Sequence, residues 1–300
     1  MERVFNIIWH EVGYKKIIVK YFIRILKSYF RTIPSNLDQV TNRFKGRPVF
    51  INSLPKSGTH LVTKIMEALP QEKYAGWINW GDNDFYSPQK KQQLISDFTS
   101  LPRGCYLVGH VIANQQIFDI LKEKDYRSVI IIRDPRDRVI SLMHHALNVP
   151  EYRFHDFFKS LKSDKEKLRY SIKGVEAKFS NNENAPLDPI DKIYESYLDW
   201  FDQPFNLVVK YEDLVGAHGG GSDELQIETT GKIIQHIGCE ITPGQVEEIT
   251  KGLYSRESKT FRKGQIQAWK QIFDLELKDF FKKETGDLLI TLGYEKDNSW

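Results

Sequence analysis

Short apolar segments that alternate with helical ones constrain the fold of this chain more than any other feature of its sequence. Each is nearly continuous in apolar residues, which is typical of strands buried on both faces of a sheet. The segments that follow the first and third carry apolar residues on one helical face. This alternation predicts an α/β fold with a mostly parallel central sheet flanked by helices. The candidate strands are residues 49–54, 105–109, 128–132 and 206–210.

Composition argues against several classes of protein. A chain of 300 residues is long enough for one large α/β domain. Its 43 Lys and Arg against 40 Asp and Glu leave a net charge of only +3, which predicts no nucleic-acid binding and requires any anion site to be local. Cys105 and Cys239 form no C-x-x-C pair, so we expect free thiols and no zinc site. No apolar run reaches the roughly 18 residues that span a bilayer, and no signal-peptide pattern is present, so we predict a cytoplasmic protein.

The chain divides into an N-terminal segment, residues 1–34, and a single predicted domain, residues 35–300. In residues 1–34, basic residues interleave with apolar and aromatic ones at roughly helical spacing. Two interpretations stay open: helices that pack on the domain, or a basic amphipathic helix in peripheral contact with a membrane surface. Residues 150–190 are predicted to form a mobile or partly helical insertion, residues 216–223 a flexible loop, and residues 275–292 helices.

The sequence PKSGTH, residues 55–60, links the first strand to a helix. A strand, a tight turn and a helix N-terminus together form an anion site, because the N–H groups of the turn and the helix dipole favour negative charge. Gly58 allows close approach of the backbone to a phosphate, Lys56 supplies a charge, and Ser57 and Thr59 supply hydroxyl donors. The pattern differs from the nucleotide-kinase loop G-x-x-x-x-G-K-[ST], since the Lys precedes the Gly. An ordinary strand-to-helix turn is the alternative.

A second cluster, VIIIRDPRDRVIS, spans residues 129–141. The buried strand delivers Arg133 to its carboxyl end, where ligands of open α/β sheets bind. Ser141 lies about two helical turns further on, so both side chains are candidates to hold a phosphate. The alternative is a surface arginine paired with Asp134 or Asp137.

These motifs, in this order, resemble those of the 3′-phosphoadenosine 5′-phosphosulfate (PAPS)-dependent sulfotransferase family. PKSGTH is similar to the 5′-phosphosulfate loop of that family, and we call it the phosphosulfate loop. RDPRDRVIS resembles its 3′-phosphate motif, VKYEDL its Y-E-D-L segment, and FRKGQIQAWKQIF its R-K-G-x-x-G-x-W-K region, with LGY following at 292–294. The resemblance implies a P-loop NTPase-like sulfotransferase fold. It also implies transfer of a sulfuryl group from PAPS to an acceptor hydroxyl or amine, which leaves 3′-phosphoadenosine 5′-phosphate (PAP), without a metal.

The resemblance also assigns roles to individual residues. Lys56 corresponds to the lysine that contacts the phosphosulfate and stabilises the leaving group. The other implied ligands are Ser57, Gly58, Thr59 and His60 for the 5′-phosphate, Arg133 and Ser141 for the 3′-phosphate, Tyr211 and, more loosely, Tyr254 for the adenine, and Arg262, Lys263 and Gly264 in the segment that closes over the 3′-phosphate.

The chain departs from the family pattern in two places. His60 and Leu61 replace the Thr-Trp of the familiar soluble enzymes, which changes one phosphate contact and removes a base-stacking ring. Gln267 and Ala268 stand where Gly-Asp is usual.

His110 is the predicted general base. It stands at the carboxyl end of its strand, on the same sheet edge as Lys56 and Arg133, and matches the histidine of the family at this place. Its unperturbed pKa of about 6.5 suits a base near neutral pH. The rival candidates are His144, His145, Glu67 and Asp82.

The acceptor is the least constrained part of the prediction. Residues 74–86 (YAGWINWGDNDFY) carry five aromatic residues that suit an acceptor pocket, with Asp82 and Asp84 as hydrogen-bonding groups; the alternative is that they cover the sheet. Residues 150–190 are predicted to lie on the acceptor side. A small molecule, a carbohydrate and a lipid all stay open as acceptors, and the resemblance leaves a homodimer open.

Two other functions compete with this prediction. A P-loop kinase would use ATP and magnesium, but no acidic residue that suits Mg²⁺ follows an apolar strand. A scaffold that binds PAP without chemistry would not need both Lys56 and His110.

Overall fold

A parallel β-sheet forms the centre of the computed structural model, which describes residues 46–70, 72–80, 88–181, 186–253 and 264–300. In these residues the sheet has five strands in the order β2-β3-β1-β4-β5, and every neighbouring pair is parallel. This confirms the predicted α/β fold class. The strands are β1 Val49–Ser53, β2 Lys73–Trp80, β3 Cys105–Val111, β4 Arg127–Ile132 and β5 Asn206–Lys210.

Helices cover both faces of this sheet within the unit Gly46–Trp300. The described helices are α1 Thr59–Ala68, α2 Pro88–Ser100, α3 Gln115–Glu123, α4 Pro135–Asn148, α5 His155–Ser160, α6 Asp164–Lys173, α7 Ile190–Glu195, α8 Tyr211–Leu214, α9 Asp223–His236, α10 Pro243–Lys251, α11 Trp269–Ile272, α12 Leu275–Thr285 and α13 Leu288–Thr291. None of these described helices combines the length and the apolarity needed to cross a bilayer.

The central strands are buried on both faces. In β1, Phe50 belongs to one core cluster, while Val49 and Ile51 belong to the other. In β4, Ile130 and Ile131 divide between the clusters in the same way. This alternation follows from the two-residue period of a strand, and it explains why these segments are apolar without interruption.

The aromatic segment that begins at Tyr74 contains a strand that the sequence did not predict. Strand β2 lies at the edge of the sheet and pairs only with β3 among the described strands. An edge strand is covered incompletely, so Ala75 and Trp77 are exposed and the apolar run is interrupted. Residues 74–78 form part of the edge strand itself. This is close to the alternative that the aromatic residues cover the sheet.

The segment 150–190 is partly helical in its described residues, which agrees with one of the two predicted forms. It contains α5 and α6, and its residues Phe154, Phe158, Leu168 and Ile172 belong to the same core cluster as Phe50. The many charged residues between these positions hide their helical spacing in the sequence. A place on the acceptor side stays a prediction for this segment.

The glycine-rich stretch 216–223, predicted as a flexible loop, contains a short 3-10 turn, Ala217–Gly219, and is closely packed at Gly219. Gly219 is buried, and a Cβ atom there would lie 2.2 Å from a methyl carbon of Val215 and 2.5 Å from the carbonyl oxygen of Gly264. The absence of a side chain therefore allows close packing at this point. The predicted segment 1–34 lies outside the described residues, and its boundary and membrane contact stay predictions.

Candidate active site

Three adjacent strands carry the predicted motifs to one edge of the sheet. Asn52 near the end of β1 pairs with Gly109 of β3 on one side and with Ile130 of β4 on the other. Because all the strands are parallel, His110, the phosphosulfate loop and Arg133 lie at the carboxyl edge together. Strand β5 leads directly to Tyr211 on the same edge. The sheet therefore brings together residues that are up to 155 positions apart (Lys56 to Tyr211).

The phosphosulfate loop has an unsatisfied donor at its centre. Ser57 is fully buried, and its hydroxyl has no hydrogen-bond partner in the described structure. A buried polar group without a partner is costly, so its presence here points to a ligand that accepts its hydrogen bond. Helix α1 begins at Thr59, which places a helix N-terminus beside this hydroxyl. The loop thus fits an anionic group.

Gly58 is required at its position for two reasons. Its φ of 94° lies in the left-handed region, which residues other than glycine adopt only at an energetic cost. A Cβ atom at Gly58 would also lie 2.3 Å from a ring carbon of Tyr211. The tyrosine ring therefore covers the loop, while its hydroxyl donates a hydrogen bond to the carbonyl oxygen of Gly264 at 2.8 Å. The adenine contact of Tyr211 stays a prediction.

Arg133 extends across the same region and forms no ion pair with Asp134 or Asp137 in the described structure. Its Nη2 donates to the carbonyl oxygen of Gln265 at 3.1 Å, and its guanidinium carbon lies 4.4 Å from the centre of the Tyr211 ring. Its Nε is buried and has no hydrogen-bond partner among the described residues. The Nε–H of this guanidinium therefore stays available to an anion.

The closing segment, residues 264–269, is attached to the site at several points. The two backbone N–H groups of Gln267 and Trp269 donate to the Asp137 carboxylate at 2.6 and 3.0 Å. The N–H of Ile266 donates to the carbonyl oxygen of Gly219 at 3.0 Å. Gln267 has a φ of 58°, so the position that is usually glycine in the family keeps a left-handed backbone here. Tyr254, Arg262 and Lys263 lie outside the described residues.

His110 is held as the tautomer that a general base needs. Its Nδ1 lies 2.6 Å from the carbonyl oxygen of Ser53 and 3.1 Å from the hydroxyl of Ser53. Because a carbonyl oxygen only accepts, Nδ1 carries the proton and Nε2 keeps its lone pair. Burial, with smaller effects of the charges on Arg138 and Lys56, lowers the pKa of His110 to about 4, against the opposing effect of the hydrogen bond to Ser53. The imidazole is therefore neutral at physiological pH.

Asn52 fixes the end of the strand that carries His110. Its buried amide donates to the carbonyl oxygen of Val111 at 2.9 Å and accepts from the N–H of Val111 at 3.0 Å. A side chain thus continues the pairing of β1 and β3 past the point where their backbones separate. Sequence reasoning missed this residue, although a polar residue inside the apolar run VFINSL was a signal.

Positive charge is concentrated around the phosphosulfate loop. Burial, Arg133 and Arg138 together lower the pKa of Lys56. Burial, together with the charges of Lys64, Arg133 and Lys56, lowers the pKa of His60 to about 4. These directions indicate a local positive potential that suits a highly anionic ligand, in a chain with little net charge. Ser141 lies half-buried in α4, and its phosphate contact stays a prediction.

The rival bases are less well placed. Glu67 is exposed on α1, and Asp82 lies outside the described residues. Burial, with a smaller effect of the charge of Lys56, lowers the pKa of His145 to about 4, and its ring packs against that of Tyr152. This histidine follows Arg133 by three helical turns on α4.

The motif RDPRDR also contains residues whose roles the sequence did not predict. Arg136 is buried beside Asp134, with which it pairs at 2.7 Å. It holds the C-terminal part of the chain through the rings of Trp269 and Trp300 and an ion pair with Glu295 at 2.5 Å. Arg138 is buried too, and its Nε donates to the carbonyl oxygen of Pro55 at 2.8 Å. A signal was available for Arg138, because its spacing of four from Leu142 places it on the apolar face of α4.

Comparison with known proteins agrees with this geometry. Residues 47–293 match the family model for the sulfotransferase domain. A mouse sulfotransferase complexed with PAP has a similar fold, with a TM-score of 0.54 and 16% identity over 87% of this chain and 95% of that chain.

Two structures of retinol dehydratase are also similar in fold. One, with androsterone and PAP, has a TM-score of 0.53 and 15% identity over 83% of this chain and 82% of that chain. The other, with retinol and PAP, has a TM-score of 0.51 and 17% identity over 83% of each chain. A comparison with curated proteins found no match. Since the family match covers most of its length, the chain belongs to the sulfotransferase domain family and is a PAPS-dependent sulfotransferase.

Proposed function

We propose that this enzyme transfers the sulfuryl group of PAPS to a hydroxyl group on a small molecule, with His110 as the general base and Lys56 as the group that stabilises the leaving phosphate. One observation carries the proposal. The hydrogen bond from Nδ1 of His110 to the carbonyl oxygen of Ser53 leaves Nε2 as a proton acceptor at the same sheet edge as the phosphosulfate loop.

The unsatisfied donors support the way in which PAPS would bind. The hydroxyl of Ser57 and the first turn of α1 suit its 5′-phosphosulfate, and Nε of Arg133 suits its 3′-phosphate. We assign Ser141 and Gly264, with Arg262 and Lys263, to the same 3′-phosphate. Thr59 and His60 complete the 5′-phosphate site, and Tyr211 and Tyr254 the adenine site. PAP in the three similar structures is consistent with a nucleotide of this kind.

The reaction is an in-line displacement at sulfur. The acceptor oxygen forms a bond to sulfur while its proton passes to Nε2 of His110, and the bond between sulfur and the bridging oxygen breaks. The electron pair of that bond goes to the 5′-phosphate of PAP, whose negative charge Lys56 stabilises. The negative charge of bound PAPS also offsets the nearby cations, which makes His110 a stronger base than in the free enzyme. No step requires a metal.

Trp77 supports an apolar small-molecule acceptor. Its ring is 42% exposed and meets the His110 ring edge to face at 5.1 Å between centroids. An exposed indole beside the base offers an apolar wall against which the body of an acceptor can pack. Retinol dehydratase was solved with androsterone and with retinol, two small molecules. Carbohydrate and lipid acceptors are alternatives that the same experiment distinguishes.

Transfer of label from [35S]PAPS to a panel of compounds tests the acceptor class. The panel contains apolar alcohols, phenols, free sugars, glycolipids and amines. We expect labelled product from apolar alcohols or phenols, and a Trp77→Ala variant with a raised KM for them. Label on sugars alone, with no effect of Trp77→Ala, would contradict the proposed acceptor.

The substitution His110→Ala tests the base. We expect turnover to fall by about 10²- to 10⁴-fold, because general base catalysis contributes a factor of this size, while PAP affinity is retained. His236→Ala is the matched control, since His236 is also hydrogen-bonded to backbone carbonyl oxygens but lies at the opposite, amino end of β4. Full activity of His110→Ala would refute the assignment, and loss of turnover in His145→Ala alone would transfer the role to that residue.

A further inference from the structure

Arg138 is a buried charge without a counter-charge. The residue is only 2% exposed, and no carboxylate forms an ion pair with it in the described part of the chain. Its Nη1 is buried and has no hydrogen-bond partner there. A buried cation without an anion is costly to keep, so its retention on the apolar face of α4 requires an explanation.

Arg138 lies over the ring of Tyr194, 5.7 Å from its centre, and its hydrogen bond is with the phosphosulfate loop. Its Nε donates to the carbonyl oxygen of Pro55 at 2.8 Å. That carbonyl belongs to the peptide group that precedes Lys56, and Lys56 has a φ of 71°. A left-handed conformation is uncommon for lysine and persists only when its surroundings hold it. The orientation of the Pro55–Lys56 peptide is therefore fixed by Arg138.

The charge of Arg138 also reaches the predicted base. After burial, Arg138 contributes to the lowered pKa of both Lys56 and His110. Lys56 is the other charged group that acts on His110, while Ser53 and Trp77 contact it from β1 and β2 without a charge. The contact with Pro55 places Arg138 beside the loop that carries Lys56, so its charge adds to the positive potential there.

We propose that Arg138 is a positioning residue that holds Lys56 in its left-handed conformation and adds its charge to the positive potential around Lys56 and His110. This inference rests on the proposed function, in which Lys56 and His110 perform the chemistry. It extends that function to a residue that contacts neither the acceptor nor the transferred group.

Two substitutions in the full chain separate the effects. Arg138→Lys keeps the charge but not the guanidinium geometry, and Arg138→Gln keeps a donor but not the charge. Titration of ¹³C-labelled histidine by NMR measures the pKa of His110, and calorimetry measures PAP affinity. We expect Arg138→Gln to raise the pKa of His110 by about one unit, because a nearby like charge is removed, and Arg138→Lys to leave it within a few tenths of the wild-type value. PAP affinity falls about tenfold in both variants, as one misplaced charged contact predicts.

Arg153→Gln is the matched control. Arg153 also donates to a carbonyl oxygen, that of Pro186 at 2.7 Å, and lies against an aromatic ring. We expect no change in PAP affinity or in the titration of His110. If Arg138→Gln does not fold, Arg138→Lys still tests the loop contact through PAP affinity.

Equal His110 titrations in the two Arg138 variants, or unchanged PAP affinity in both, would overturn the inference. Neither readout uses turnover. A failure of His110 as the base, seen as activity of His110→Ala, is therefore separable from a failure of this inference.

Discussion

Three residues with buried, unpartnered hydrogen-bond donors tell most about what the site binds. The hydroxyl of Ser57, Nε of Arg133 and Nη1 of Arg138 are buried without partners, and all belong to the phosphosulfate loop or to the motif beside it. Folding alone gains nothing from such groups, since a buried donor that has lost water and found no acceptor destabilises the protein. An anion that accepts hydrogen bonds from Ser57 and Arg133 explains these two donors, while Arg138 holds the loop itself.

The substitution Ser57→Ala tests this explanation. We expect PAP affinity to fall by about 10- to 100-fold, the usual effect of one hydrogen bond to a charged group. The free protein loses no hydrogen bond and keeps its melting temperature. Thr230→Val is the matched control, because Thr230 is also fully buried with an unpartnered hydroxyl but lies on α9. A lower melting temperature for Ser57→Ala with unchanged PAP affinity would show that the hydroxyl is structural.

Prediction from sequence succeeds for residues that belong to one continuous motif. Buried strands lead directly to Lys56, Ser57 and Arg133. The nearby sequence is therefore enough to predict that these residues lie at the sheet edge. Asn52 and Asp137 could not be found in this way. Asn52 acts through Val111, 59 positions away, and Asp137 through Gln267, 130 positions away. Such pairings depend on how distant elements meet, which no local pattern contains.

Helix α4 is the element that connects the parts of the site. Its first turn provides Asp137, which binds the closing segment, and Arg138, which binds the phosphosulfate loop. Pro135 at its start and the Asp134 side chain, which accepts from the N–H of Arg136, fix where the helix begins. Both segments are therefore anchored to the same helical turn, and a disturbance there is expected to affect both.

The substitution Asp137→Asn tests the anchoring of the closing segment. In asparagine an NH₂ group replaces one of the two carboxylate oxygens that accept from backbone N–H groups, so two donors face each other. We expect a loss of about 1–3 kcal/mol of stability. For a chain of this size that lowers the melting temperature by several degrees, and PAP affinity falls about tenfold. Asp119→Asn is the control, since Asp119 is exposed and bonds only to Gln115 in the described structure. Unchanged melting temperature and PAP affinity in Asp137→Asn would contradict the anchoring role.

Strands and helices were predicted correctly where their apolar residues form an uninterrupted pattern in the sequence. The strands β1 and β4 are buried, and β1, β4 and β5 appear in the sequence as apolar runs, so their bounds were predicted to within a residue. Strand β2 was missed because glycine and polar residues interrupt its apolar residues (KYAGWINW), whereas β5, the other edge strand, keeps three consecutive apolar residues. Helices α5 and α6 were hidden by charged residues on their outer faces.

Positive charge is concentrated at one edge of the sheet, although the net charge of the whole chain is small. Its net charge of +3 would not attract an anion over a distance, but Lys56, Arg133 and Arg138 lie together at one sheet edge. The positions of the strands in the sheet produce this concentration, since β3, β1 and β4 are neighbours although they are far apart in the chain. A homodimer, a cytoplasmic location and a peripheral membrane contact of residues 1–34 stay predictions.

Calorimetric titration with PAP, beside ADP and 5′-AMP and without magnesium, tests the central claim most directly. The account predicts that PAP binds at least about 100-fold more tightly than ADP, because only PAP carries the 3′-phosphate that Arg133 would hold. It also predicts that Arg133→Ala removes this preference. Equal or tighter binding of ADP would contradict the account, and it would favour a nucleotide kinase instead.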